Sequence, residues 1–172
     1  MYREIYEYKA DGYIEIENTS CIGGVVLYNS KKNKVVKSGE DAAYDKFVTF
    51  VQSQVTQVPG FPLIFNHTKP EGEFSFDNNK AYTITELEYL EPLSDKEGDE
   101  FVVWFKSVID KLKEGGDFSA ITDDPFGLLN ELNLLRQYAV GNNIGLDLNK
   151  SSNVMVRSYK GIKQYVFTDP YG

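Results

Sequence analysis

The chain of 172 residues has one cysteine, Cys21, and one histidine, His67. A single cysteine excludes an internal disulfide and suits a reducing compartment. A single histidine argues against a His-based zinc site or a Ser/His/Asp triad, and His67 reads as an ordinary strand or loop residue. Positive charge is also scarce. The 18 Lys and Arg against 26 Asp and Glu leave a net charge of −8, the wrong sign for a general nucleic-acid binder, which must neutralise phosphates. No apolar run reaches membrane-spanning length, and the N-terminal MYREIYEYKADG is polar, without a signal-peptide core. The expectation is a cytoplasmic protein with no membrane partner, whose acidic surface suits a basic partner or simply keeps it soluble.

What the chain does have is apolar surface, 41% of residues with aromatics at 14%, enough for a real core at this length. YIEIE, GGVVLY and NKVVK read as three short strands, the last two joined by the turn residues of NSKKN. In EDAAYDKFVTFVQSQV, Tyr44, Phe47, Val48 and Val51 share one helical face, and acids begin the helix, where its dipole favours them. PGFPLIFNHT and KAYTITELEYLEPL read as two further strands, with EGEFSFDNN as the loop between them. From Ser94 the texture becomes helical. DEFVVWFKSVIDKL spaces Phe101, Trp104, Phe105, Val108 and Leu112 on one face, and DPFGLLNELNLLRQYAVGNN reads as a second helix that stops near Gly141.

The closing stretch GLDLNKSSNVMVRSYKGIKQYVFTDPYG reads as a hairpin of NVMVR and QYVFTD, with Asp147, Asn153 and Asp169 at strand ends. A strand end suits a charged group, because the apolar strand can be buried while its terminus opens into a cleft. The plain alternative is that these are solvated loop residues. The fold class expected is therefore α+β: an antiparallel sheet with one helix over residues 1–93, then a smaller helical lobe with the hairpin over residues 94–172.

Three strands, a helix, two strands, then helices and a hairpin bearing Asp, Asn and Asp is an order that resembles a protein-kinase core. VVK ending at Lys37 resembles the lysine-bearing third strand, LDLNKSSN the catalytic loop, and VFTDP the metal-binding turn. More narrowly, NVMVR, the Thr-Asp-Pro turn and VVKSGEDAAYDKF look like the early serine/threonine protein kinases of bacteriophages of the T-seven type. The resemblance runs from about Tyr13 to Gly172, and its specific motifs lie in the final segment.

The resemblance implies a protein-kinase-like fold with a truncated helical C-lobe, ATP and Mg2+ as cofactors, and a host protein as target in the host-cell cytoplasm. Lys37 would hold the phosphates, and Asp147 would orient the acceptor hydroxyl and take its proton. Asn153 and Asp169 would hold magnesium, which prefers hard oxygen ligands. Gly23 and Gly24 would let the backbone approach the phosphates, and Glu88-Tyr89-Leu90 resembles the hinge whose backbone meets adenine, or is an ordinary strand end. Asp41 or Asp45 would pair with Lys37, unless both are only helix-start acids. Lys37, Asp147 and Asp169 are expected to converge on one cleft.

Several features depart from the family pattern. NTSCIGGVV holds only two glycines, Gly145-Leu146 stands where His-Arg is usual, and Asp147 to Asn153 is one residue longer than the usual spacing. The hairpin loop SYKGIKQ reads as long, and an activation segment after Asp169 is not expected. These departures keep open a catalytically inactive pseudokinase, a binding module that inhibits a host protein. A small-molecule kinase of the aminoglycoside type is a third reading.

Overall fold

The alternating stretches at the start of the chain form an antiparallel sheet, and the helical stretches that follow form helices. The structure is a computed structural model describing residues 3–16, 24–70 and 82–172; Cys21, Gly23 and the EGEFSFDNN stretch lie outside the described residues. In chain order the elements are α1 (Arg3–Ala10), β1 (Ile14–Ile16), β2 (Val25–Asn29), β3 (Lys34–Gly39), α2 (Ala42–Gln52), β4 (Ile64–Thr68) and β5 (Thr83–Glu88). There follow β6 (Glu91–Pro92), α3 (Asp95–Lys113), α4 (Leu129–Asn142), β7 (Val154–Tyr159) and β8 (Ile162–Phe167). The fold is α+β, with two antiparallel sheets and four α-helices among the described residues. None of those helices is long and apolar enough to cross a membrane. Two compact units emerge: Met1–Gln52 with Leu63–Tyr89, and Ser53–Pro62 with Leu90–Gly172.

The first unit is built on a five-stranded sheet in the order β1-β2-β3-β5-β4. Asn29 ends β2 by accepting at Oδ1 from the backbone N–H groups of Lys31 and Lys32, both at 3.1 Å, and Asn33 supplies the positive φ of 52° that lets NSKKN turn back into β3. Because side chains alternate across a strand, Leu27, Val36 and Ile84 fall on one face. There they form a buried core with Ile5 and Tyr13, so α1 joins α2 as a second helix of this unit where one had been expected. Tyrosines and charges dilute the apolar stripe of α1, and only Ile5 of its residues is buried. Burying one such side chain contributes about 1.5–3 kcal/mol, enough to seat a short helix that propensity alone would not form. The opposite face carries the row Val26, Lys37, Thr85 and His67, set side by side by the strand register.

In the second unit, Ser94 starts α3 with a reciprocal cap: its Oγ accepts from Glu97 N at 3.3 Å, and Glu97 Oε2 accepts from Ser94 N at 3.1 Å. Glu97 Oε1 also accepts from Lys163 Nζ at 2.8 Å and Tyr165 OH at 3.1 Å, which ties α3 to β8. Those hydrogen bonds, Lys163's first, hold the Glu97 carboxyl down to about 2. Phe101 of α3 sits among Phe126, at 5.4 Å between ring centroids, and Phe167, at 6.3 Å.

Two local expectations are corrected here. Helix α4 begins at Leu129 and not at Asp124, because Gly127 takes a φ of 64° that no helix allows, and the Asp124 carboxylate instead receives Leu128 N at 2.9 Å and Leu129 N at 3.0 Å. Its end agrees with the expected stop near Gly141: the helix runs to Asn142 and is capped by Asn143 in the left-handed region, φ 52°. The hairpin loop is short: Lys160 and Gly161, φ 50° and 79°, make a two-residue turn of the kind that matches strand twist, and the remainder of SYKGIKQ belongs to β7 and β8.

The segment Ser53–Pro62 is held inside the second unit by its backbone. Arg157 of β7 donates to Pro59 O at 2.8 Å and Phe61 O at 3.0 Å, Phe167 N donates to Gly60 O at 2.9 Å, and Gly60 N donates to the buried Glu131 Oε1 at 3.3 Å. A Cβ on Gly60 would lie 2.7 Å from Glu131 Cγ and 2.8 Å from Leu128 Cδ2. Gly60→Ala is therefore expected to destabilise the protein by about 1–3 kcal/mol. Urea unfolding should show a lowered midpoint with an unchanged slope.

Candidate functional site

Two short backbone stretches of the second unit build the clearest constellation. Residues 145–147 run antiparallel to residues 170–172: Asp147 N donates to Pro170 O at 2.8 Å, Gly172 N donates to Gly145 O at 3.2 Å, and Leu146 faces Tyr171. The glycines are needed for so close an approach. A Cβ on Gly145 would lie 3.2 Å from Gly172 O, and one on Gly172 would lie 3.0 Å from Asp147 Cβ. Tyr171 anchors the pairing by donating its buried hydroxyl to Leu135 O at 3.1 Å.

The loop from Asp147 closes at its far end as well. Residues Ser151–Asn153 form a tight 3-10 turn, Asn153 O accepts from Thr168 N at 2.9 Å, and the Asn153 side-chain amide donates to Asp147 O. Asp169 therefore sits between Thr168, bonded to Asn153, and Pro170, bonded to Asp147. Its backbone neighbours on either side are both pinned, so Asp147, Asn153 and Asp169 are brought together.

Lys150 joins them. Its Nζ donates to Asp147 Oδ2 at 2.8 Å, and its pKa is raised above the ordinary lysine value by that hydrogen bond first, then by the charge of Asp147, with Asp169 adding to the effect. Asp147 keeps 30% of its side chain exposed, so one carboxylate oxygen is tied while the group still meets solvent. Asn153 is buried, and with its amide nitrogen committed to Asp147 O its remaining polar atom is an oxygen. That oxygen and the Asp169 carboxylate are two hard oxygen donors carried by backbone stretches that the Thr168 N to Asn153 O bond joins. The pair fits magnesium, which takes few protein ligands and keeps the rest of its shell in water and phosphate. Among the described residues there is no group of three or more His, Cys, Asp or Glu placed to hold a metal ion.

The other residues singled out from the sequence lie mainly in the first unit. Lys37 is central in β3, and its Nζ stands 3.7 Å from the centre of the Tyr44 ring of α2. Of the two candidate acids beside it, Asp41 is the N-terminal cap of α2, its Oδ1 accepting from Ala43 N and Tyr44 N, both at 3.0 Å. Asp45 is the acid whose titration Lys37 influences; its Oδ1 accepts from Thr83 Oγ1 at 2.7 Å and lies 3.9 Å from His67 Nε2. Gly24 packs against Gly39, where a Cβ would lie 3.4 Å from Gly24 Cα, while Gly23 is outside the described residues. Glu88 ends β5, with its carboxylate accepting from Leu63 N at 2.8 Å and its own N–H donating to Leu63 O at 3.0 Å. Tyr89 N donates to Asn33 O at 3.1 Å. The chain passes from the first unit to the second between Tyr89 and the buried Leu90.

Two participants carried no role in the sequence reading. Lys150 stands three residues after Asp147, a spacing that hints at a local ion pair. His67 had been read as an ordinary residue; only strand register sets it beside Thr85 and Lys37. Comparison of the chain with protein-family models and with curated proteins found no match.

Burial is the main cause that raises the Asp45 carboxyl above its ordinary value; the Thr83 hydrogen bond and the charges of His67 and Lys37 oppose it, and Asp41 adds to it. A carboxyl raised on folding contributes stability fully below its unfolded value near 3.8, and that contribution is lost as pH rises through the folded pKa. Asp45→Asn keeps an acceptor for Thr83 without the charge. It should melt higher than the unmodified protein at neutral pH, and the gain should shrink toward zero as the pH of the calorimetric scan approaches 3.8.

Proposed function

We propose that the chain is a magnesium- and ATP-dependent protein kinase with a protein-kinase-like fold, of the phage early serine/threonine type, which transfers the γ-phosphate to Ser or Thr of a host protein in the host cytoplasm. The observation that carries this reading is the double backbone closure that holds Asp147, Asn153 and Asp169 together with Lys150 on Asp147. Phosphoryl transfer asks little covalent chemistry of a protein and much positioning and charge neutralisation. Asp147, partly exposed, orients the acceptor hydroxyl and takes its proton. Lys150 keeps that carboxylate in place and adds positive charge beside it. Asn153 and Asp169 offer the oxygen ligands for magnesium, which when bound neutralises phosphate charge. In this reading Lys37 is the lysine for the phosphates, and Glu88 to Leu90 the backbone edge for adenine.

The ion pair of Lys150 with Asp147 also favours a second reading. A carboxylate already claimed by a lysine is a poorer proton acceptor, which suits a catalytically inactive pseudokinase, a binding module that inhibits a host protein without transferring phosphate.

A thermal-shift and phosphate-transfer experiment separates the two. Magnesium with ATP at a hundredfold excess over its dissociation constant should stabilise the protein by about 2.7 kcal/mol. At this chain length that is a Tm rise of about 5–10 °C. Asp169→Ala should lose the magnesium-dependent part of the rise, and Lys37→Met most of it. Asp147→Ala should keep the rise and lose labelled-phosphate transfer to host extract. A Tm rise without transfer in the unmodified protein would point to a nucleotide-binding scaffold or to a substrate absent from the extract; no rise and no transfer would overturn the kinase and leave the pseudokinase.

A further inference from the structure

Helix α3 bears on both of the stretches that lead to Asn153 and Asp169. On one side Gly98, buried in its first turn, faces Ser151, the residue two before Asn153. On the other, the Phe101 ring meets that of Phe167, the residue two before Asp169, at 6.3 Å between centroids. Gly98 and Phe101 are three residues apart, so they share one face of the helix. The first turn is itself held in place: Gly98 N donates to Ser94 O at 2.8 Å, and Glu97 Oε1 accepts from Lys163 and Tyr165 of β8.

A helix interior favours alanine over glycine. Gly98 takes no left-handed conformation that would call for glycine, so the close approach of Ser151 is its reason. A Cβ on Gly98 would lie 2.9 Å from Ser151 Cβ and 3.0 Å from Ser151 Oγ. Ser151 Cβ is fixed to its own backbone, so a change of rotamer cannot relieve the first contact and the 3-10 turn would have to move. That turn is tied internally, with Val154 N donating to Ser151 O and Asn153 N to Lys150 O at 3.2 Å. A shift at Ser151 therefore reaches Asn153.

We propose that Gly98 is a positioning residue for the magnesium ligands: the side chain it lacks lets Ser151 seat against α3, and that seat sets where Asn153 stands relative to the end of β8 that carries Asp169. The metal part of this rests on the magnesium role proposed for Asn153 and Asp169; the seat itself does not. Groups that orient metal ligands from behind typically cost about 10–100-fold in metal affinity when they are changed.

The test is a cycle of Gly98→Ala, Ser151→Gly and the two together in the full chain. Its first readout needs neither metal nor nucleotide. The Asn153 side-chain amide donates to Asp147 O, and its NMR resonance is identified by its loss in Asn153→Asp. Gly98→Ala should move that resonance by more than its linewidth, and with glycine at position 151 the same alanine should leave it in place. Melting should follow: the alanine lowers Tm beside Ser151 and raises it beside glycine, where only helix preference remains. The second readout is the magnesium concentration that gives half of the magnesium-dependent Tm rise with ATP. It should increase about tenfold in Gly98→Ala and return in the double variant to the value of Ser151→Gly. Should Gly98→Ala not fold, Ser151→Val crowds the same contact from the loop and should move both readouts in the same directions. An amide that stays in place, or that moves equally with glycine at position 151, would overturn the proposal, as would a magnesium requirement that does not follow the amide. If magnesium changes nothing in the unmodified protein, the metal role of Asn153 and Asp169 fails, while the amide cycle still decides whether Gly98 places Asn153.

Discussion

The candidate site depends on one constraint: the pairing of residues 145–147 with residues 170–172, repeated where Thr168 meets Asn153. Backbone hydrogen bonds on both sides of Asp169 set its position before any side-chain contact is made. Asp147 and Asp169 carry like charges on backbone stretches that are bonded to each other through Pro170, and the Asn153 amide has other acceptors within reach of a free loop. The Asn153 amide and the Lys150 ammonium hold the loop instead, one through Asp147 O and the other through Asp147 Oδ2. The hydrophobic layer beneath, with Leu148, Val154 and Phe167 buried, keeps the backbone from relaxing away.

Much of this was legible in the chain because local chemistry decides it. Strand alternation in VVLY and KVVK, the NSKKN turn, and the apolar spacing of α2 and α3 all survive into the structure, since propensity, pattern and burial agree there. The grouping of Asp147, Asn153 and Asp169 was suggested by strand ends. The bonds that enforce it come from residues such as Thr168 and Pro170, whose backbone role no side-chain pattern announces. Helix α1 was missed because Tyr6 is 59% exposed and its stripe is thin, so tertiary packing on Ile5 outweighs a weak local signal. The hairpin loop was read as long because Ser158, Tyr159 and Lys163 look like loop residues. They are strand residues at an exposed hairpin end, where polar side chains cost nothing.

The row of Lys37, Thr85 and His67 shows where register carries information that composition does not. These residues are far apart in sequence, yet an antiparallel sheet makes them neighbours with no loop between. A sheet face under a helix is ordinarily filled with Val, Ile and Leu. Here α2 brings Asp45 down onto polar side chains, and its partial burial disfavours the charged carboxylate at neutral pH. Strain of this kind is expected where a polar group serves something other than stability.

The path of Ser53–Pro62 carries a consequence for synthesis on the ribosome. This segment lies between two elements of the first unit, α2 and β4, yet its hydrogen-bonding partners are Glu131, Arg157 and Phe167. When Gly60 is made, the N–H group of Phe167 that will bond its carbonyl is about a hundred residues away from being translated. At ordinary elongation rates that is a wait of about 5–20 s. Until then the segment has only its own local bonds, Phe61 N to Val58 O and Gln57 Nε2 to Val58 O and Phe61 O, and the rest of its backbone must stay hydrated. The nascent chain thus has an order built into it: the sheet of the first unit can zip up early, while the second unit has to recapture a stretch that left the ribosome long before its own strands did.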